Sequence, residues 1–282
     1  MTRVVDGGTQ PHARTAVIDA APDGRRQFLA SLVAHRHVFV MLARKDFQTR
    51  YKRASLGIVW AVAVPVLQGV VLAIVFSKVV RVQGTEHYGA MVFAGVVAFS
   101  YFASTLTAAV TSIVDGSGLT DKVWFPRILL VLVPAAANLV GLAVSVAVLI
   151  VALPFLGVGL SPRLALLFPA GALLLAFTAA LSLVAAALHV YFRDVKFLVQ
   201  AALLVWIYVT PVLYPREAVG DLGPWLDLNP MTGIVLLFQQ AAVGGVDDLA
   251  RPVAVSLVWT VALLVIGLEA QRRHDRLFVD LL

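Results

Sequence analysis

The sequence predicts an all-α integral membrane protein: six transmembrane helices with an N-terminal amphipathic interface helix and a short re-entrant helical region before the last span. Two observations predict this class. The 282-residue chain is 60% hydrophobic and only 13% charged, whereas soluble domains carry roughly 25% charged residues. Six long stretches also lack any Asp, Glu, Lys or Arg, and a helix needs ~20 such residues to cross ~30 Å of hydrocarbon. These stretches are residues 54–77, 87–114, 128–162, 164–192, 197–215 and 252–268.

Turn residues and charges set the limits of the six spans. The stretch 128–162 has 35 residues, which is too long for one span, and Pro154, Gly157, Gly159 and Pro162 are expected to end its helix near residue 153. The last stretch has 17 residues and spans only if it borrows flanking residues. The predicted spans are 57–78, 88–113, 129–153, 164–190, 197–214 and 252–269.

The chain before the first span divides into two predicted segments. Residues 1–24 have no apolar segment typical of a signal peptide, and they are predicted to form a disordered cytoplasmic tail. Residues 25–56 are predicted to form an amphipathic interface helix and a basic segment. Between 25 and 43, an apolar stripe at helical spacing is expected to face the membrane. A short soluble helix that packs on its own protein is the alternative. The stripe consists of Phe28, Leu32, His35, Phe39 and Leu42.

A basic cluster marks where the membrane begins. Five Lys and Arg residues lie within 44–53, and no charge follows until Lys78. With a cytoplasmic N-terminus, 17 of the 22 basic residues fall on the cytoplasmic side, which is the positive-inside pattern. Both termini are therefore expected in the cytoplasm, and 57–269 forms the membrane domain before a C-terminal tail at 270–282. The net charge of +6 is placed for orientation, so nucleic acid is not expected as a partner.

Residues 230–243 are apolar but too short to span a bilayer. They follow an Asn-Pro pair at 229–230 and precede Gly244 and Gly245. A segment of this length is typical of a re-entrant or interfacial helix. We expect it to dip into the membrane from the outer side and return through the two glycines.

Several kinds of chemistry are missing from the sequence. There is no cysteine, and there is no phosphate-binding loop of the type G-x-x-x-x-G-K-[ST]. None of the six uncharged stretches contains a carboxylate, which ion-coupled transporters usually need within the membrane. An enzyme would have to rely on loop acids, which are usually solvated. Those acids are Asp115, Asp121, Asp194, Glu217, Asp221 and Asp227. The chain is thus predicted to form a transport path without an energy-coupling site of its own, and not to be an enzyme.

Four stretches resemble the membrane (permease) subunits of type-2 ABC transporters that export polysaccharide, such as O-antigen, teichoic acid and galactan. RYKRASLGIVWAVAVPVL (50–67) resembles the start of the family's first span. LTDKVWFPRILLVLVPAAANLV (119–140) is similar to its first cytoplasmic loop and the following span. YFRDVKFLVQ (191–200) resembles the second cytoplasmic loop. YVTPVLYP (208–215) with LNPM (228–231) resembles the end of the fifth span and the outer re-entrant region.

This resemblance implies a function and a set of partners. Two copies of the chain would form a channel in the bacterial inner (plasma) membrane, above two separate ATP-binding subunits. The chain would need no cofactor of its own, because ATP and Mg would be bound by the partner ATPase. The implied substrate is a polyprenyl-diphosphate-linked glycan. Two alternatives stay open: a permease of the same fold for drugs or small lipids, and an integral-membrane transferase acting on polyprenyl-linked sugars.

The resemblance also implies sites of coupling to the ATPase. A coupling helix with its packed anchor and polar rim would comprise Leu119, Thr120, Asp121, Lys122, Val123, Trp124, Phe125 and Arg127. A plain loop between spans is the alternative. Arg193 and Asp194 are either an ordinary orientation signal with a local ion pair, or a second contact to the ATPase or a link to the interface helix.

Three further groups of residues are candidates for the transport path. Aromatic rings stack on the C–H faces of sugars, so Tyr101, Trp206 and Tyr208 are predicted to face the pore, although interfacial belts and core packing use the same residues. Arg50, Lys52 and Arg53 are candidates for binding the lipid diphosphate, because Arg binds phosphate through paired hydrogen bonds. An orientation signal alone is the alternative for them. Pro211, Asn229 and Pro230 are the predicted gate or hinge, because a proline frees a carbonyl and can kink a helix.

Overall fold

The computed structural model describes residues 25–51, 59–75, 87–120, 125–246 and 248–274. In these ranges the regular secondary structure is entirely helical, as predicted. The helices are α1 (Arg25–Ala34), α2 (Arg36–Tyr51), α3 (Val59–Ile74), α4 (Tyr88–Asp115), α5 (Ser117–Thr120), α6 (Ile128–Phe155), α7 (Leu167–Tyr191), α8 (Val195–Val209), α9 (Gly223–Leu226), α10 (Pro230–Ala242) and α11 (Ala250–His274). Two 3-10 helices, Pro162–Leu166 and Arg216–Leu222, precede α7 and α9.

Four of the helices are long and apolar enough to cross a membrane. They are α4, α6, α7 with its preceding 3-10 turn, and α11. The described part of α3 has 16 residues and α8 has 15. A 15-residue helix is only about 22 Å long. The described residues therefore contain four candidate membrane spans, and the count of six remains a prediction.

Helix α8 ends five residues before the predicted limit at residue 214. The cause is Pro211, because a proline disfavours helical geometry in the residue before it. Thr210 accordingly adopts an extended conformation, with φ −100° and ψ 138°. The C-terminal boundary shifts in the opposite direction, since α11 continues to His274, beyond the predicted span end at 269. The first residues of the predicted C-terminal tail are thus helical.

The apolar stripe of the N-terminal segment faces the protein itself. Leu42 is 8% exposed, and Leu32 and Phe39 pack with it against a cluster from the neighbouring ends of α4, α6 and α7. The prediction that this stripe faces the membrane is wrong for these three residues, because α2 packs on α6 and takes its apolar side with it. The Phe28 side chain lies outside the described residues. The predicted single helix is also divided, since α1 ends at Ala34 and α2 begins at Arg36.

Helix α4 is the centre of the bundle and packs against α6, α7, α8 and α10. Every residue from 90 to 99 is buried. The Phe102 ring lies 5.7 Å from Phe177 on α7 and 5.2 Å from Trp206 on α8, measured between ring centroids. Polar contacts tie α4 to α6, because Asn138 Nδ2 donates to Thr105 Oγ1 at 2.9 Å. A packed aromatic and polar seam therefore holds the centre together.

Candidate functional site

The functional candidates lie at opposite ends of the bundle. We call one the α10 end; it contains α9, α10, the end of α8 and the start of α11. We call the other the α2 end; it contains α2, α5 and the turn between α7 and α8. The predicted gate residues belong to the α10 end, and the predicted coupling residues belong to the α2 end.

Asn229 connects the end of α8 to the start of α10. Its Oδ1 accepts from Trp206 Nε1 at 2.9 Å and from the backbone N–H of Met231 at 3.0 Å. Its Nδ2 donates to Thr210 Oγ1 at 2.9 Å and to the Val209 carbonyl at 3.4 Å. An amide side chain has two donor hydrogens and two acceptor lone pairs. The Asn229 side chain therefore has a partner for each of them.

Local sequence explains this arrangement. Asn is a favoured N-cap, where its side chain accepts from the second helical N–H, and Pro is favoured at the first helical position. Asn229 and Pro230 occupy these places at the start of α10. Thr210 Oγ1 donates back to the Trp206 carbonyl at 2.9 Å. Its oxygen lone pairs remain available to Asn229, which joins the two helix ends.

The predicted hinge at Pro211 is held from two sides. Pro211 is buried, and its carbonyl accepts from Gln239 Nε2 on α10 at 2.9 Å. Gln239 is only 2% exposed. Two residues further on, the Leu213 carbonyl accepts from the Tyr88 hydroxyl at the start of α4. The chain leaving α8 is thus fastened to both α10 and α4.

Helix α10 is itself held at both ends. Ten of its 13 residues are buried. Near its start, the Ser256 hydroxyl of α11 lies 2.6 Å from the Pro230 carbonyl. At its end, Arg163 Nη2 donates to the Ala242 carbonyl at 3.4 Å. A Cβ added to Gly233 would lie 2.3 Å from the Pro252 carbonyl oxygen, so α10 and α11 touch backbone to backbone there.

Asp227 forms a buried ion pair beside this network. Its carboxylate is 0% exposed, and its Oδ2 lies 2.6 Å from Arg216 Nη2 and 4.0 Å from Arg251 Nε. The prediction that Asp227 is a solvated loop acid is wrong, because its side chain is buried. The sequence did contain a signal for this ion pair. Arg216 and Arg251 are two of the few basic residues that the charge count places outside the cytoplasm. The Asp227 carboxylate therefore has a structural role, as the partner of Arg216.

Within the described ranges, the α2 end has buried polar atoms that lack a hydrogen-bond partner. Arg127 is 7% exposed and His189 is 3% exposed. Arg127 Nη1 and His189 Nδ1 have no hydrogen-bond partner among the described residues. Both residues adjoin the same apolar cluster, which includes Phe125 and Val190. Burial of an unpaired polar atom is unfavourable, so this end carries an uncompensated cost.

The remaining coupling candidates are distributed differently. Leu119 packs partly buried against the same cluster, whereas Arg193 and Asp194 are exposed. The backbone of Thr120 closes α5, and Asp121, Lys122, Val123 and Trp124 lie outside the described residues. Two aromatics that the sequence reasoning did not single out are exposed beside this turn, Phe192 at 65% and Phe197 at 59%. Their positions around the Arg-Asp pair were the signal that could have identified them.

The three pore candidates do not form one surface in the single chain. Tyr101 is 4% exposed and donates its hydroxyl to the Ala135 carbonyl at 3.0 Å. Trp206 is half-buried in the Asn229 network, whereas Tyr208 is 67% exposed. The Tyr208 carbonyl accepts from the Tyr214 hydroxyl at 2.9 Å, and burial raises the pKa of the Tyr214 phenol. Only Tyr208 therefore presents its ring to the surroundings.

The lipid-headgroup candidates follow the last turn of α2. The backbone of Arg50 belongs to that helix, and Lys52 and Arg53 lie outside the described residues. Arg44 and Lys45 on the preceding turn are exposed. In the described part of the chain, no group of three His, Cys, Asp or Glu residues is placed to hold a metal ion.

Comparison with known proteins identifies the family. Residues 37–242 match the ABC-2 type transporter family. The chain is 30% identical to the O-antigen export system permease protein RfbA of Myxococcus xanthus over 76% of this chain and 83% of that protein. It is 26% identical to the protein of the same name from Klebsiella pneumoniae over 87% of this chain and 95% of that protein. The chain, whose described residues include four long apolar helices, therefore belongs to the ABC-2 type transporter family as a multi-pass membrane subunit.

Proposed function

We propose that this protein is the channel-forming subunit of an ATP-driven exporter that moves a polyprenyl-diphosphate-linked polysaccharide across the bacterial inner membrane. It works as a homodimer with two ATP-binding subunits. The observation that carries this proposal is the similarity to O-antigen export permeases over 83–95% of their length. The export of a lipid-linked glycan is inferred from those relatives.

The proposed topology has six spans, with α3 and α8 as the two shorter ones. The α2 end is cytoplasmic, because the positive-inside count places most basic residues there. Helix α10 has 13 residues, about 20 Å at its normal rise, which supports a re-entrant helix that begins and ends on the outer side. The return is made at Gly244 and Gly245, whose φ values of 77° and 70° are left-handed and favour glycine.

The α2 end is the proposed contact with the ATPase. A buried donor without an acceptor costs about 1–3 kcal/mol, and a docked subunit that supplied an acceptor would remove this cost. Arg127 Nη1 has no acceptor among the described residues, and a docked subunit would supply one once the buried side chain turns outward. The exposed Phe192 and Arg193 on the neighbouring turn offer an aromatic ring and a guanidinium, and both residue types are enriched at protein interfaces. These properties support coupling through residues 119–127 and 192–194.

The substrate path is proposed to start at the basic segment and continue along the exposed side of α8. Arg50, Lys52 and Arg53 would hold the diphosphate through charge-assisted hydrogen bonds. Tyr208 has an exposed ring against which a sugar can stack. The Tyr101 and Trp206 rings lie within the bundle of one chain. They could face the pore only if dimer formation or a rearrangement of the helices exposed them.

Copurification tests this function. The chain is expressed with a candidate ATP-binding subunit from the same genome, reconstituted in lipid, and assayed for ATP hydrolysis with a polyprenyl-diphosphate glycan. We expect a complex with equal numbers of the two subunits and a turnover that the glycan increases. Stimulation by small lipids or drugs instead would favour the other permease function. Sugar transfer by the chain alone would favour the transferase.

A further inference from the structure

Helix α8 rests on the rest of the bundle along one edge. Leu203 is its only residue that is buried, and Val195, Val199 and Trp206 pack partly buried on the same side. The other side is open, with Phe197, Leu204 and Tyr208 exposed by 59%, 73% and 67%. Little apolar packing therefore opposes a tilt of this helix.

The two ends of α8 are held very differently. At its start, Asp194 occupies the N-cap position, but its side chain makes no capping hydrogen bond and is exposed. At its end, Trp206, Val209 and Thr210 are all hydrogen-bonded to Asn229. Asn229 belongs to the buried and doubly fastened α10. One end of α8 is therefore fastened by side-chain hydrogen bonds, whereas the other is held only by the partial packing of Val195 and Val199.

The Asn229 bonds exceed what a helix cap requires. An N-cap needs only the bond from the second helical N–H, here Met231 to Asn229 Oδ1, and Asp serves that purpose as well as Asn. The other three bonds all lead to α8. The two Nδ2 donors in particular reach Thr210 and Val209, and a carboxylate at this position could not supply them.

We propose that Asn229 is a positioning residue that pins the outer end of α8 to α10, so that ATP-driven movement of α8 grows from its outer end to its cytoplasmic end. This inference rests on the proposed function, because the ATPase supplies the movement. It places the fixed point at Thr210 and Pro211, where the sequence predicted a hinge for an outer gate. The segment that moves most is then the one nearest the ATPase.

Nitroxide labels along α8 test the inference. The chain has no cysteine, so single cysteines at positions 197, 204 and 208 give one label for each protein. Spectra are recorded in lipid for the complex, with and without ATP and vanadate. We expect the nucleotide-dependent spectral change to be largest at 197, smaller at 204 and absent at 208. A change that is uniform along α8, or largest at 208, overturns the proposal.

Two variants remove the pin without removing the cap. Asn229→Asp keeps both acceptor contacts and loses the two donors, and Thr210→Val removes the hydroxyl acceptor. We expect the nucleotide-dependent spectral change to appear at position 208 in both variants. The matched control is Asn138→Asp, because Asn138 Nδ2 also donates to a threonine hydroxyl at 2.9 Å, but between α6 and α4. The control should leave the profile of the parent unchanged. If neither variant alters the profile, Asn229 is only a cap and the proposal fails.

The proposed function is judged separately. Failure of any ATPase to copurify contradicts that function, whatever the labels show. The pin is then tested on the chain alone, where the label at 197 should be more mobile than the label at 208. Asn229→Asp should remove this difference in mobility, and a difference that persists in the variant overturns the inference.

Discussion

At the α10 end, the buried carboxylate of Asp227 lies 2.6 Å from Arg216, whereas at the α2 end a nitrogen of the buried Arg127 guanidinium has no acceptor among the described residues. Both ends have buried charge, but within the part of the chain that the structure describes only the charge at the α10 end is paired. Single atoms of Arg163 and Asp227 also lack a partner, yet each of these side chains makes another polar contact. The difference supports the proposal that the α2 end, unlike the α10 end, is completed by the ATPase.

The comparison is tested most strongly by Asp227→Asn. Removing one member of a buried ion pair leaves the other charge uncompensated, and the free energy of unfolding should fall by about 3–5 kcal/mol. The measurement is thermal or denaturant unfolding of the purified chain in detergent. Asp194→Asn is the control, because Asp194 is exposed and its loss should change stability little. Equal effects of the two substitutions would remove the distinction between the ends.

A second prediction concerns Trp124→Ala at the α2 end. If Trp124 anchors the chain in the ATPase, its loss should weaken that complex by about 2 kcal/mol or more, as for an interface hot spot. ATP hydrolysis should no longer drive export, while the chain unfolds at its parental temperature. The measurements are affinity for the ATPase and glycan-stimulated turnover. Normal export by this variant would argue against the coupling helix.

A third prediction sets Arg127→Met against Arg216→Met. Removing the unpaired buried donor at Arg127 should leave stability unchanged or raise it by about 1–3 kcal/mol, and should weaken binding of the ATPase. Removing Arg216 should destabilise the chain, because Asp227 loses its partner. Unfolding and binding are measured for both variants. A large loss of stability in Arg127→Met would show that this residue serves the fold and not a partner.

The smallest effect is expected from Arg50→Gln. A basic residue near an anionic headgroup contributes about 1 kcal/mol, so one substitution should weaken binding of a polyprenyl-diphosphate glycan severalfold. The stability of the chain should not change. Binding to nanodiscs containing the glycan lipid is measured, with Arg273→Gln as the control. Arg273 is exposed near the chain terminus at 69%, and an equal loss in this control would indicate general surface attraction.

The sequence predicted the spans at α4, α6, α7 and α11 because uninterrupted apolar runs leave few alternatives. The α10 helix and its boundaries were also accessible, since Asn229, Pro230 and the two glycines are strong local signals. The early end of α8 could have been predicted from Pro211 alone. These residues act on the backbone within a few positions of themselves, so the sequence alone is enough to predict the helix boundaries that they set.

The contacts that define the two ends could not be predicted in this way. The Asp227–Arg216 pair and the Gln239–Pro211 bond join residues 11 and 28 positions apart, and no local rule selects these partners. The side to which Leu42 and Phe39 turn was wrong for a similar reason. An apolar stripe shows that burial is favoured, but lipid and protein satisfy it equally well.

The close approach of α10 and α11 at Gly233 affects the hydrogen bonds between Asn229 and α8. A carbon–oxygen contact normally needs about 3.3–3.6 Å, and a methyl group there would lie 2.3 Å from Pro252. Helix α10 would have to withdraw by about 1 Å to admit it. Asn229 is four residues away on the same element, so such a withdrawal would stretch its bonds to α8. The lack of a side chain at Gly233 thus sets the spacing between α10 and α11, and with it the strength of the hydrogen bonds that hold α8.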